Sequence, residues 1–213
     1  MTQPIAVLTG DIIDSRRIDD SQHLHGVLDD ALDHLASHHG GRYERFRGDG
    51  FQLAVPHAEA ALEIAVALRA YLIMHGETRR WDARVAVAIG QDTWQPDTAL
   101  AAADGPVFVT SGQCLDALDN DAHLALSLVD APEDAGLDLL IRYVDELIEG
   151  WSRHAAEIIH LRLWHDESQQ ALAERLGIRQ PSVHKRLRTA RWTLLADTLE
   201  FFRSRLAMEG PSS

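Results

Sequence analysis

A single cysteine, Cys114, stands in the 213 residues. One cysteine excludes an internal disulfide and fits a reducing cytoplasm. Its setting, Ser-Gly-Gln-Cys-Leu-Asp-Ala-Leu, reads as a helix near the core with no catalytic partner. No apolar run approaches the roughly 18 residues needed to span a membrane, which excludes a spanning helix. The first residues lack a basic stretch and soon reach Asp11, so they read as a strand rather than a signal peptide. Basic charge is also scarce. The formal net charge is −13, with 20 Lys and Arg against 33 Asp and Glu, which excludes a chain that is basic throughout.

The basic residues that are present cluster late. Residues 1–140 hold 9 basic and 23 acidic side chains, whereas residues 141–213 hold 11 and 10. Within 171–192 six basic residues face only Glu174. That asymmetry predicts two parts with different tasks.

The strongest local pattern is Arg42-Tyr-Glu-Arg-Phe-Arg-Gly-Asp-Gly-Phe-Gln-Leu-Ala-Val55. Alternating apolar positions flank Gly48-Asp49-Gly50, which predicts a hairpin with Asp49 at its tip. The run Ile5-Ala-Val-Leu-Thr-Gly-Asp11 predicts a buried strand ending in a second carboxylate. If the two lie side by side, the carboxylates repel unless a cation or proton joins them. The plainer reading is that Asp49 is only the Asp of an Asp-Gly turn. Arg45 and Arg47 share a strand face and either meet phosphates or lie as solvated stems. His34 and His38 share a helix face but read as exposed helix-end residues.

The order of elements is strand, helix 24–35, hairpin, helix 58–74, and strand 83–90. Strand 106–110, a helix capped by Ser111, and closing strands 124–129 and 137–143 complete it. The expected fold class is α+β, a ferredoxin-like βαββαβ domain followed by an all-α helix-turn-helix domain. The expected boundaries are 1–143 for the first domain, 144–152 for a linker and 153–209 for the second.

Thr9-Gly-Asp-Ile-Ile13 together with Arg45-Phe-Arg-Gly-Asp-Gly-Phe51 resembles the metal-binding pair of class III nucleotidyl cyclases, and more loosely GGDEF and polymerase palm domains. The resemblance implies that Asp11, Asp49 and the carbonyl of Ile12 hold Mg²⁺ carrying a nucleotide. Arg16, Arg45 and Arg47 would then face phosphates. Arg45 stands where cyclases carry lysine, and residues 91–105 lack the later Asn and Arg of that family. Such a site would bind a nucleotide without turning it over. The chain also resembles the SatD family, whose members begin with a similar strand and end in a DNA-binding-like segment.

Ser168 to Arg188 predicts a short helix 169–176, a turn on Gly177, and a second helix near Gln180 with Pro181 in its first turn. It resembles the helix-turn-helix of bacterial regulators and of sigma region four. By that resemblance Gln180, Ser182 and His184 lie on the recognition side. Lys185, Arg186, Arg188 and Arg191, with Arg175 and Arg179, would meet phosphates. The apolar stripe of Trp192, Leu195, Leu199, Phe202 and Leu206 would pack on the N-terminal part or on a second copy. The expected protein is a cytoplasmic, homodimeric DNA-binding regulator with a nucleotide and Mg²⁺ as effector. A nucleoside-triphosphate-converting enzyme is the alternative, and a dimerising scaffold the third reading.

Overall fold

The computed structural model describes residues 2–46, 48–129, 131–132 and 134–208. Arg47, expected to face phosphate, lies outside them. The fold is α+β, and its sheet sets the hairpin beside the end of β1. Strand β1 (Gln3–Ile12) is central, with β3 (Phe51–Val55) on one side and β4 (Ala83–Asp92) on the other. β2 (Arg42–Arg45) and β5 (Leu124–Leu128) form the edges, giving the order β2-β3-β1-β4-β5. All neighbours are antiparallel except β4 and β5.

The even positions Ala6, Leu8 and Ile12 of β1 join the large core under α1 (Ser21–His38) and α2 (Ala61–His75). Ile5 and Val7 face the other way, toward α3 (Pro106–Ala117). Both faces are covered, which is why β1 reads as an unbroken apolar run.

Two expected strands are helices. Residues 106–110 open α3: Pro106 takes the first turn, where its missing N–H costs nothing. Val107, Phe108 and Ser111 turn toward the sheet, and Ser111 is not a cap. Its buried hydroxyl lies 2.7 Å from that of Thr9 and donates to Phe108 O at 2.9 Å. Residues 137–143 belong to α4 (Ala135–Glu149), capped by Asp134. Its buried positions Leu137, Ile141, Val144 and Ile148 follow a helical period. β5 instead pairs parallel to β4, which the α3 crossover permits.

The remaining helices are α5 (Arg153–Trp164), α6 (Gln169–Leu176), α7 (Gln180–Thr189) and α8 (Trp192–Met208). Ser152 caps α5 and Ser168 caps α6. Gly177 ends α6 at φ 64°, a left-handed conformation cheap only for glycine. Leu172, Ala173, Val183 and Leu187 are buried where α6 and α7 meet.

α5 packs along α2, and α8 packs on α2 and the turn at Ala58–Ala60. Arg203 pairs with Glu63 at 2.7 Å, and Arg205 pairs with Asp134. Leu195, Leu199 and Phe202 join the same core as Leu8 and Phe51. The stripe of α8 therefore packs on the N-terminal part. Residues 144–152 comprise the end of α4 and the buried Trp151, whose Nε1 donates to Ala190 O at 3.2 Å.

A buried charge network locks these layers together. Arg69 of α2 is wholly buried. Its Nε and Nη2 donate to Asp82 at 2.8 and 2.9 Å, and its Nη1 donates to Asp145 of α4 at 2.6 Å. The other Asp145 oxygen accepts from His123 N and Leu124 N, fixing the start of β5. Arg80 donates to Asp82 and to the carbonyls of Ile148 and Trp151.

Candidate functional site

The register pairs Gly10 with Phe51, so one residue further along each strand lie Asp11 and Gly50, with Asp49 next. A Cβ on Gly50 would lie 3.9 Å from Gly10 O, which brings the hairpin tip close to the end of β1. Gly10 itself admits no side chain. A Cβ there would meet Phe51 Cζ at 2.4 Å and Arg84 O at 2.5 Å. The Thr-Gly-Asp sequence thus lets the Phe51 ring cross β1 just below Asp11.

Asp11 and Arg84 are register partners on adjacent strands. Arg84 Nε and Nη2 donate to the two Asp11 oxygens at 2.9 and 2.5 Å. Both side chains are about one-third exposed, at 34 and 29 %. The guanidinium pKa is raised, first by the hydrogen bond to Asp11, against a smaller desolvation effect. The charges of Asp11, Asp116 and Asp49 raise it further. The site is therefore an Asp11–Arg84 pair in the field of further carboxylates. Neither Arg84 nor Asp116 was expected from the sequence. The register partner of Asp11 was the one available signal for Arg84, and it required the pairing of β1 with β4.

Arg45 does not join this group. Its Nη1 donates to both Asp29 oxygens at 3.1 and 3.0 Å, and its Nη2 donates to Gly48 O at 3.0 Å. It braces the turn that carries Asp49. Arg16 is exposed in the turn Ser15–Arg17 just after β1. The Ile12 side chain is buried in the core, leaving its main chain beside Asp11. Glu44, also unforeseen, accepts from Leu100 N and Ala101 N and ties the hairpin to the loop after β4.

Mg²⁺ takes hard oxygen ligands, commonly one or two carboxylates plus substrate phosphates. Asp11 and Asp49 fit that donor set. A second set fits less well. Asp82, His123 and Glu149 offer ligand atoms within 4.8 Å of one another. Arg69 and Arg80 already stand among them, with Arg80 Nη2 2.9 Å from Asp82. A dication there would meet two guanidiniums, so this cluster acts as the charge network described above.

A cleft of about 470 Å³ lies between α1, α2 and α5, lined by Asp30, His34, His38, Tyr71, His160 and Trp164 among others. His34 and His38 are exposed, yet their rings stand edge-on to Trp164 at 4.3 and 4.8 Å. Nδ1 of His160 is buried without a hydrogen-bond partner among the described residues. Burial lowers the His160 pKa to about 4, with His34, His75 and His165 adding to the effect. His39 is lowered to about 4, mainly by burial and then by His38. An unfolded histidine titrates near pH 6.5, so between about pH 6.5 and 4 the unfolded chain binds more protons. The stability these groups contribute is present above that range and lost as pH falls through it. The thermal midpoint should therefore drop on acidification over this interval. It should drop less steeply in His160→Leu, and an unchanged slope in the variant would count against this assignment.

The residues expected to meet DNA divide. Arg179, Gln180, Ser182, His184, Lys185, Arg188 and Arg191 are exposed on or beside α7. Arg186 is engaged by Glu157 at 2.7 Å, and Arg175 is paired with Glu167. Gln180 also donates to Gln169 Oε1 at 3.3 Å.

No family model and no curated protein matches the chain. Among solved structures it is similar to the GGEEF domain of a diguanylate cyclase from Vibrio cholerae (16% identity, 61% of this chain and 85% of that one, TM-score 0.46). The adenylyl cyclase CyaB from P. aeruginosa gives 17% identity, 55% and 73% coverage and a TM-score of 0.43. The guanylate cyclase domain of RhGC from Catenaria anguillulae, solved with GTP, gives 19% identity, 54% and 73% coverage and a TM-score of 0.43. Among the described residues no helix is long and apolar enough to cross a membrane.

Proposed function

We propose that the chain binds and converts a nucleoside triphosphate with Mg²⁺, on a ferredoxin-like sheet of the nucleotidyl-cyclase type. The observation that carries this reading is the register that sets the hairpin carrying Asp49 beside the end of β1, where Asp11 pairs with Arg84. Asp11, Asp49 and the Ile12 carbonyl would hold the ion, whose chemistry is to neutralise phosphate charge. Phosphoryl transfer also needs a placed positive group near the developing charge. Residues 91–105 carry none, whereas Arg84 stands paired with Asp11. Arg16, exposed just beyond β1, is suited to an outer phosphate contact.

The test is titration of the purified chain with ATP and GTP, with and without Mg²⁺, followed by product analysis. Binding that needs Mg²⁺, with a cyclic, condensed or hydrolysed product, is expected. Binding without product would leave a sensor, and no binding at all would sink the reading.

A second function is favoured by the exposed basic side of α7. We read α6 and α7 as a helix-turn-helix, as in the SatD-like resemblance, contacting DNA as a homodimer. Lys185 and Arg188 would meet phosphates, while Gln180 and Ser182 would reach base edges. Replacing Lys185 and Arg188 together by alanine should weaken DNA binding and reduce its salt slope by about 2. DNA affinity with the same salt slope in the variant would remove this reading.

A further inference from the structure

We infer that Arg84 is a built-in counter-ion that keeps a bare divalent cation off Asp11 until a polyphosphate arrives with it. This rests on the assignment of Asp11 and Asp49 as the metal carboxylates. Both Asp11 oxygens are already taken by the guanidinium, in a two-point pairing across adjacent strands. Such a fork is the strongest arrangement an arginine and a carboxylate can adopt. A free Mg²⁺ ion reaching Asp11 must displace at least one of these bonds. It then leaves an arginine next to a dication, with Asp116 and Asp49 as the remaining carboxylates acting on that arginine. Like charges in a partly shielded site repel strongly.

A metal–polyphosphate complex changes this balance. It brings its own negative oxygens, and a guanidinium suits phosphate as well as carboxylate. Arg84 can exchange Asp11 for a phosphate oxygen, and Asp11 is then freed for the ion. Arg84 is partly exposed at the end of β4, so the exchange moves one side chain and leaves the core undisturbed. The ligand class the site accepts is therefore a metal ion and a polyphosphate together, each raising the affinity of the other. In this role Arg84 holds Asp11 while the site is empty and a phosphate oxygen once the complex is bound.

Mn²⁺ serves as the probe, its free concentration read by electron paramagnetic resonance on the full chain. Binding of inorganic tripolyphosphate at fixed Mn²⁺ is read by calorimetry. The unmodified protein should bind Mn²⁺ alone weakly. Arg84→Gln should bind Mn²⁺ alone about tenfold more tightly and tripolyphosphate with Mn²⁺ about tenfold more weakly. Arg84→Lys, whose ammonium cannot fork, should lie between the two for Mn²⁺ alone, and it serves if the Gln variant is poorly folded. Equal Mn²⁺ affinity in the unmodified and variant proteins overturns the counter-ion role. If tripolyphosphate still binds with Mn²⁺ in that case, the metal assignment survives. Absence of Mn²⁺ binding in every protein, with or without tripolyphosphate, overturns both.

Discussion

Arg69→Ala should destabilise the protein by about 3–5 kcal/mol, the usual cost of breaking a buried ion pair from one side. The substitution strands Asp82 and Asp145, which Arg69 joins from within α2. Burial alone would push the Asp82 carboxyl up, but Arg69 and then Arg80 hold it below the ordinary carboxylate range. A carboxyl with a depressed folded pKa adds stability above its unfolded value near 3.9, and that stability is lost as pH falls through the folded value. In the variant Asp82 escapes its buried charge by taking a proton. The penalty should therefore be largest near neutrality and shrink in acid. Arg69→Lys should recover little, because an ammonium cannot satisfy Asp82 with two donors while also reaching Asp145. Urea unfolding at pH 7 and near pH 4 measures both claims. A loss under about 1 kcal/mol at pH 7 would mean the network tolerates a missing cation, contrary to its geometry.

Asp49→Asn should leave the unfolding temperature where it is and weaken Mg²⁺-dependent nucleotide binding on the order of a hundredfold. A unit charge about 4 Å from a dication, at an effective dielectric near 20, contributes several kcal/mol before desolvation is subtracted. The amide keeps the shape of the turn, which Arg45 braces from Asp29 and Gly48 O without using Asp49. The variant thus separates charge from fold. Calorimetric titration with ATP and GTP in Mg²⁺, beside a thermal melt, is the measurement. Unaltered nucleotide affinity would return Asp49 to the plainer role of a turn residue.

Where local chemistry decided a structure, the sequence was a sufficient guide. Gly177 turns where the helix-turn-helix pattern set a turn, in the left-handed conformation that glycine takes cheaply. The hairpin and the alternation around Phe51 were equally legible. The two misread helices, α3 and α4, had short apolar runs in common: Val107-Phe-Val and Leu139-Leu-Ile. A run that short does not distinguish a buried strand from a helix by its period. Tertiary packing made that choice, through Val107 and Phe108 beneath the sheet and Asp145 bound to Arg69. The site was half legible. Asp11 and Asp49 stand in recognisable strand-end and turn positions. Arg84 gains its meaning only from a pairing with Asp11 across 73 residues. The partner of Arg45, Asp29, lies 16 residues earlier within α1, a contact that no local pattern signals.

α2 carries a consequence for how the molecule can be taken apart. It is clad by the sheet on one side and by α5 and α8 on the other, which is why eleven of its fifteen residues are buried. A fragment ending near residue 150 would present that second side to water as a greasy, adhesive strip. The C-terminal helices, released alone, would lose the surface that holds α5 and α8 in register. α2 thus shares its two buried sides between the sheet and the C-terminal helices.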